Sequence, residues 1–132
     1  MKHILSIFLI VITLGFVSCK ESPQPEIKVV SPEEMKSLLE MDDVQLIDVR
    51  TAEEYDLEHI AKSQNIDIRS PDFDQEITRL DKERPVLLYC HSGKRSAECA
   101  MKLKDAGFVK IYDLSGGITK WKYSGFEVET KS

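Results

Sequence analysis

At 132 residues the chain has room for one hydrophobic core and not for two. Its 42% hydrophobic and 31% charged content is that of an ordinary soluble globular domain. A net charge of −5, from 18 basic and 23 acidic residues, excludes nucleic acid as the main partner, since no basic stripe interleaved with aromatics appears either. Any anion site must therefore be local and work against the overall field.

Residues 1–18 read as a signal peptide. Lys2 gives a positive start, and residues 4–17 form an apolar run shorter than the roughly 20 residues a spanning helix needs. The run ends at Phe16-Val17-Ser18-Cys19, which resembles the lipobox of bacterial lipoproteins, with Phe16 where Leu is usual. That resemblance implies cleavage before Cys19 and lipidation of its thiol. Each buried CH2 of an acyl chain contributes about 0.8 kcal/mol, so several chains hold a soluble domain to a bilayer. Removing residues 1–18 leaves 17 basic and 23 acidic residues, a net −6. Residues 19–26 then form a lipidated, proline-containing extended tether, and residues 27–132 the domain.

The spacing predicts a strand over 27–30, then a helix opened by a Ser31–Glu34 capping box with Pro32 at its first position. That helix runs to about residue 41, where Asp42-Asp43 breaks it. A strand over 44–49 precedes a second capping box, Thr51–Glu54, and a helix to about residue 57. A short strand is expected within 64–68 and a third helix over 71–80, with Phe73, Ile77 and Leu80 on one face. Residues 85–89 are the most apolar stretch, suited to a strand buried on both faces of a parallel sheet. A loop over 90–95 leads to a helix over 96–106, closed by Gly107. At 100° per residue that helix puts Cys99, Ala100, Leu103 and Ala106 on one arc, and Glu98, Lys102 and Asp105 opposite. A strand over 109–114, a turn at Ser115-Gly116-Gly117 and a short helix over 118–121 follow. Strands alternating with helices imply an α/β domain with a mainly parallel sheet. Ligands in such sheets bind beyond the carboxyl ends of the strands, where Cys90 lies.

The chemistry is carried by Cys90-His91-Ser92-Gly93-Lys94-Arg95-Ser96, between the most buried strand and a helix. Inward N–H groups of such a loop, the positive helix start and the charges of Lys94 and Arg95 all favour a thiolate over a thiol. The same surroundings suit an anion bound beside the sulfur. Gly93 permits a tight loop, and Arg95 offers a bidentate fork that Lys94 lacks. The alternative is an inert cysteine at a strand end, which the flanking Gly, Lys and Arg disfavour. Cys19, Cys90 and Cys99 form neither a disulfide framework nor a zinc pattern, so no metal is expected. In an oxidising compartment a retained thiol points to chemistry.

These residues resemble a single-domain rhodanese. Leu46-Ile47-Asp48-Val49-Arg50 is similar to the family's first signature, and Glu54-Tyr55, His59-Ile60 and Asn65-Ile66 to its second. Residues 86–96 are similar to the active-site strand and loop, and residues 114–121 (LSGGITKW) to the closing motif. The resemblance spans about residues 27–127. Glu58 stands where the family has Gly, and Lys62-Ser63 where it has Gly-Ala. The resemblance implies a three-layer domain with a mainly parallel central sheet flanked by helices. It also implies a thiosulfate sulfurtransferase without cofactor, in which Cys90 becomes a persulfide while His91, Ser92, Gly93, Lys94, Arg95 and Ser96 bind a small sulfur-containing anion.

Of the remaining candidates, Asp48–Arg50 reads as a structural ion pair, His59 as fold support, and Cys99 and Trp121 as core. His91 either faces substrate or is solvated. Rival functions are a relay or binding module with a protein sulfur donor or acceptor, and a cysteine phosphatase. The phosphatase loop needs five residues between Cys and Arg, whereas four separate Cys90 from Arg95. The expected location is outside the cytoplasm of a bacterium, on a membrane facing the periplasm or cell surface and held through Cys19.

Overall fold

The computed structural model describes Gly15 and residues 24–131. The expected signal peptide apart from Gly15, and Cys19 at the start of the expected tether, lie outside the described residues. Strand β1 (Glu26–Val30) begins one residue before the expected domain start and leads into α1 (Pro32–Leu39). The Ser31 side chain accepts the Glu34 N–H at 3.1 Å, so one half of the expected capping box forms. Strand β2 (Gln45–Asp48) is followed by α2 (Ala52–Leu57), where both halves of the Thr51–Glu54 capping box are present. Next come β3 (Gln64–Asn65), α3 (Phe73–Glu76) with a 3-10 turn over Ile77–Arg79, and β4 (Val86–Tyr89). Helix α4 (Lys94–Asp105), β5 (Lys110–Leu114) and α5 (Gly117–Tyr123) complete the chain order.

All five strands pair in parallel, in the order β1-β5-β4-β2-β3. Helices cover both faces, giving three layers, as parallel sheets require. Strand alternation divides the core. Val86 and Leu88 pack with Ile47, Val49, Cys99, Leu103 and Phe108 on one face. Leu87 and Tyr89 pack with Met35, Leu46, Ile118 and Trp121 on the other. Cys90 continues the first series and joins the α4 side. Strand β4 is the central strand, so its carboxyl end opens into the crevice flanked by β5 and β2.

Two expected elements differ. The helix expected over 71–80 is one α-turn followed by a 3-10 turn, although Phe73, Ile77 and Leu80 are all buried as the spacing required. The helix expected from residue 96 starts at Lys94, because Gly93 at φ +113° brings the chain straight out of the loop into helical geometry.

Candidate active site

Cys90 is 1% exposed at the end of β4, and the loop folds back over it. Its Sγ accepts the Gly93 N–H at 3.0 Å, and its thiol reaches Ser96 Oγ at 3.4 Å. The early helix start places Lys94, Arg95 and Ser96 in the first turn of α4, where N–H groups have no helical acceptor. The positive end of a helix of 12 residues is thus set beside the sulfur.

The outer side of the loop is fastened by α5. The Ile118 N–H donates to the Cys90 carbonyl at 2.9 Å. The Thr119 N–H and hydroxyl donate to the His91 carbonyl at 3.2 and 3.0 Å. Both carbonyl oxygens are therefore committed to α5, and the Gly93 N–H is left to face the sulfur. This contact explains the second glycine of the Gly116-Gly117 pair. Gly117 has φ +60°, and a Cβ there would lie 2.5 Å from the Cys90 and His91 carbonyl oxygens.

The charged residues are arranged differently from the expected anion cradle. Arg95 Nη1 and Nη2 donate to Glu54 Oε1 and Oε2 at 2.6 and 2.8 Å, so the fork is occupied by a carboxylate. These hydrogen bonds hold the Glu54 carboxyl down at about 2 and raise the Arg95 guanidinium above its ordinary value. Glu54 thus caps α2 and anchors α4 at once. A pocket of about 420 Å³ opens beside the loop, lined by Arg50, Glu54, Leu57, Glu58 and His91. His91, Ser92 and Lys94 are exposed, with His91 on this pocket. Glu58 pairs with Lys122 at 2.5 Å. Of the six loop candidates beside Cys90, Gly93 and Ser96 touch the sulfur, Arg95 turns to Glu54, and His91, Ser92 and Lys94 form the rim.

Sequence reasoning missed Glu54 as the partner of Arg95, because 41 residues separate them and no local spacing reports the contact. It also missed Glu58 as a pocket residue and Asp113, buried behind the loop on β5. The supporting residues stand as read. Arg50 Nη2 donates to Asp48 Oδ2 at 2.7 Å and to the Glu58 carbonyl at 2.6 Å, within a buried pair. His59 stacks on Tyr55 with centroids 4.0 Å apart, and its backbone pairs with Glu129. Trp121 is core, with its indole N–H donating to the Glu127 carbonyl at 2.9 Å. Cys99 is 1% exposed, and burial pushes its thiol up to about 12. Lys62, where the family has Gly, takes the left-handed φ of +67° that such a glycine would supply freely. Among the described residues no group of three or more His, Cys, Asp or Glu is placed to hold a metal.

Residues 31–124 match the rhodanese-like domain family. The thiosulfate sulfurtransferase GlpE of Coxiella burnetii (strain RSA 493 / Nine Mile phase I) is 35% identical over 95 residues, covering 72% of this chain and 87% of that protein. The thiosulfate sulfurtransferase GlpE of Pseudomonas fluorescens is 35% identical over 106 residues, or 80% of this chain and 93% of that protein. Among solved structures, a rhodanese-like domain protein from Staphylococcus aureus superposes with a TM-score of 0.67 at 30% identity, covering 80% of this chain and 99% of that one. By the family match over residues 31–124 and by these relatives, this chain belongs to the rhodanese-like domain family.

Proposed function

We propose that the protein is a sulfurtransferase that carries sulfane sulfur on Cys90. The observation that carries this reading is the Gly93 N–H aimed at Sγ from 3.0 Å, in a loop whose carbonyls are tied to α5. The names of the two bacterial relatives support thiosulfate as the donor. The Cys90 thiolate attacks the outer sulfur of thiosulfate. The S–S bond breaks, sulfite leaves with its electron pair, and Cys90 holds a persulfide. Cyanide or another thiophilic acceptor then takes the outer sulfur and the thiolate returns. The Gly93 N–H stabilises the persulfide anion, and the exposed Lys94 and His91 on the loop rim supply the charge and hydrogen-bonding groups for the departing sulfite.

A second reading, sulfur delivery by a protein, draws support from the rim. The Arg95 fork is held by Glu54, Glu58 adds a second carboxylate, and Leu57 is 75% exposed beside them. Such a mouth is less suited to a small dianion than an open basic cradle. The deciding experiment is the intact mass of the reduced protein after thiosulfate, with Cys90→Ser alongside. A gain of one sulfur atom, reversed by cyanide and absent in the variant, supports thiosulfate as donor. No gain with thiosulfate, but a gain with a protein persulfide, makes the chain a relay.

The lipid anchor at Cys19 and a position on the periplasmic or outer face of a bacterial membrane belong to the same proposal. They rest on the lipobox-like run ending at Cys19. Mass analysis of the exported protein tests them. The expected product lacks residues 1–18 and carries acyl mass, and Cys19→Ala removes that mass.

A further inference from the structure

Helix α2 flanks the active-site pocket without a core of its own. Among the described residues it is the one α-helix that buries none of its side chains. Its Glu54 and Leu57, with Glu58 at its C-cap, line the pocket of about 420 Å³ beside the Cys90 loop. What holds it to the rest of the fold is polar. Glu54 takes the Arg95 fork from the first turn of α4. The Asp56 carbonyl accepts the Lys131 N–H at 3.2 Å, and its carboxylate pairs with the Lys131 ammonium at 3.3 Å. The Glu58 carbonyl accepts from Arg50 at 2.6 Å, and its carboxylate pairs with Lys122 of α5 at 2.5 Å. Tyr55 bonds within the segment, stacking on His59 and donating to the Ser63 carbonyl at 2.7 Å. An element with few buried apolar contacts is the one that opens most readily.

Glu58 joins this helix to the far wall of the pocket. That wall belongs to α5, because Thr119 holds the His91 carbonyl and His91 lines the pocket. Lys122 lies about one turn further along the same helix. The Glu58–Lys122 pair therefore ties α2 to the element that carries the Cys90 loop. Glu58 stands where the family has Gly, yet its backbone is extended, at φ −164° and ψ 146°, and calls for no glycine. A glycine there could form no such pair. We propose that Glu58 is a specificity-determining residue, which, paired with Lys122, latches α2 over the pocket and limits by size which sulfur donors reach Cys90. The Glu58 and Lys122 side chains are 32% and 44% exposed, so the latch is weak and sensitive to salt. With the pair formed, a small anion such as thiosulfate passes. With it broken, α2 lifts and a donor bearing an organic group on the transferred sulfur has room.

The inference rests on Cys90 as the nucleophile of the proposed reaction, but its test reads access and not sulfur transfer. The full chain is treated with iodoacetamide or with an uncharged pyrene-bearing iodoacetamide, the same reactive group on a small and a large body. Modification of Cys90 is read by peptide mass, and each rate is divided by that of a free thiol in the same buffer. The measure is the ratio of the large to the small reagent. Glu58→Gln keeps the bulk of the side chain and removes its charge. It should raise the ratio about threefold at low salt, as should Lys122→Gln. About 1 M sodium chloride should raise the wild-type ratio by a similar factor and leave both variants where they are. Exchanging the charges, Glu58→Lys with Lys122→Glu, should return the ratio to the wild-type value, which a merely structural role does not predict. A wild-type ratio indifferent to salt would overturn the proposal, as would a folded Glu58→Gln with the wild-type ratio. Rates that rise equally for both reagents would overturn it too, since the loop and not α2 would then have loosened. If a variant does not fold, the salt series on the wild type decides. A protein that gains no sulfur from any donor while these ratios shift sinks the sulfurtransferase reading alone. Sulfur uptake with unmoved ratios sinks the latch alone.

Discussion

Cys90 and Cys99 are each 1% exposed and sit in the same core cluster, yet their surroundings differ in kind. Cys90 lies where a strand ends and a helix starts. Its sulfur meets an N–H at 3.0 Å and a hydroxyl at 3.4 Å. Cys99 lies one and a half turns further along α4, on the arc it shares with Ala100 and Leu103, and burial pushes its thiol up to about 12. On the proposed function, burial alone therefore does not decide whether a thiol is inert. The donors aimed at it decide, and these come from backbone that only the end of an element leaves free.

The sharpest way to break this comparison is to exchange the cysteines' fates. Cys90→Ser should abolish sulfur uptake, a loss on the order of a thousandfold or more in cyanide-driven turnover. Cys99→Ala should keep turnover within about twofold and lower stability by about 1 kcal/mol. Paired turnover assays and urea melts check both. Loss of activity in Cys99→Ala without unfolding would make Cys99 a partner in the chemistry.

Gly117→Ala disturbs the Cys90 side alone. The new Cβ would meet two carbonyl oxygens 2.5 Å away on a backbone at φ +60°. Such a position costs about 1–3 kcal/mol from strain before the overlap is counted. The loop carbonyls must then shift, so turnover should fall at least tenfold while Cys99 alkylation in the folded protein stays slow. A variant as stable and active as the wild type would remove α5 from the account of the cradle.

The contrast between the two thiols was legible in the sequence, and its details were not. The buried run at residues 86–89 and the Gly-Lys-Arg after Cys90 announce the strand, the turn and the charge. The arc through Cys99 follows from helical periodicity alone. Local patterns also found both helix caps, since Ser31 and Thr51 bond within three residues. What failed to show was every contact set by tertiary packing. The Arg95 fork reads as free until Glu54 arrives from 41 residues away. Asp113 carries no signal in the strand expected over 109–114, and its burial follows from β1 pairing outside β5. The third helix failed for a subtler reason. Positions four and three apart satisfy an α-turn followed by a 3-10 turn as well as one continuous helix.

Asp113 gives the comparison a pH axis. Its carboxyl is raised from 3.8 to about 6 in the folded protein, so between those values the folded state holds more proton than the unfolded one. Stability from this group is fully present below about pH 4 and is lost as pH rises through about 6. Asp113→Asn should remove that decline, which amounts to about 3 kcal/mol in full and about 2 kcal/mol between pH 4.5 and 7. Urea melts at pH 4.5 and 7 measure it. An equal decline in the variant would assign the pH dependence to other groups.

Glu54→Gln has the smallest expected effect on folding and the most direct bearing on the donor. The Glu54 carboxyl, held down at about 2, supports the fold above its ordinary value of 4.5, and that support fades as pH falls toward 2. The pair is partly exposed, so losing its charge at pH 7 should cost about 1 kcal/mol or less. Gln keeps a hydrogen bond to Arg95 and removes a negative charge from the pocket wall. If a free dianion reacts at Cys90, its approach becomes easier and the KM for thiosulfate should fall about threefold at unchanged kcat, since one screened charge at the rim is worth under 1 kcal/mol. If kcat falls instead, Glu54 acts by holding the first turn of α4 in place, and the donors that separate Cys90 from Cys99 depend on an ion pair as well as on the backbone.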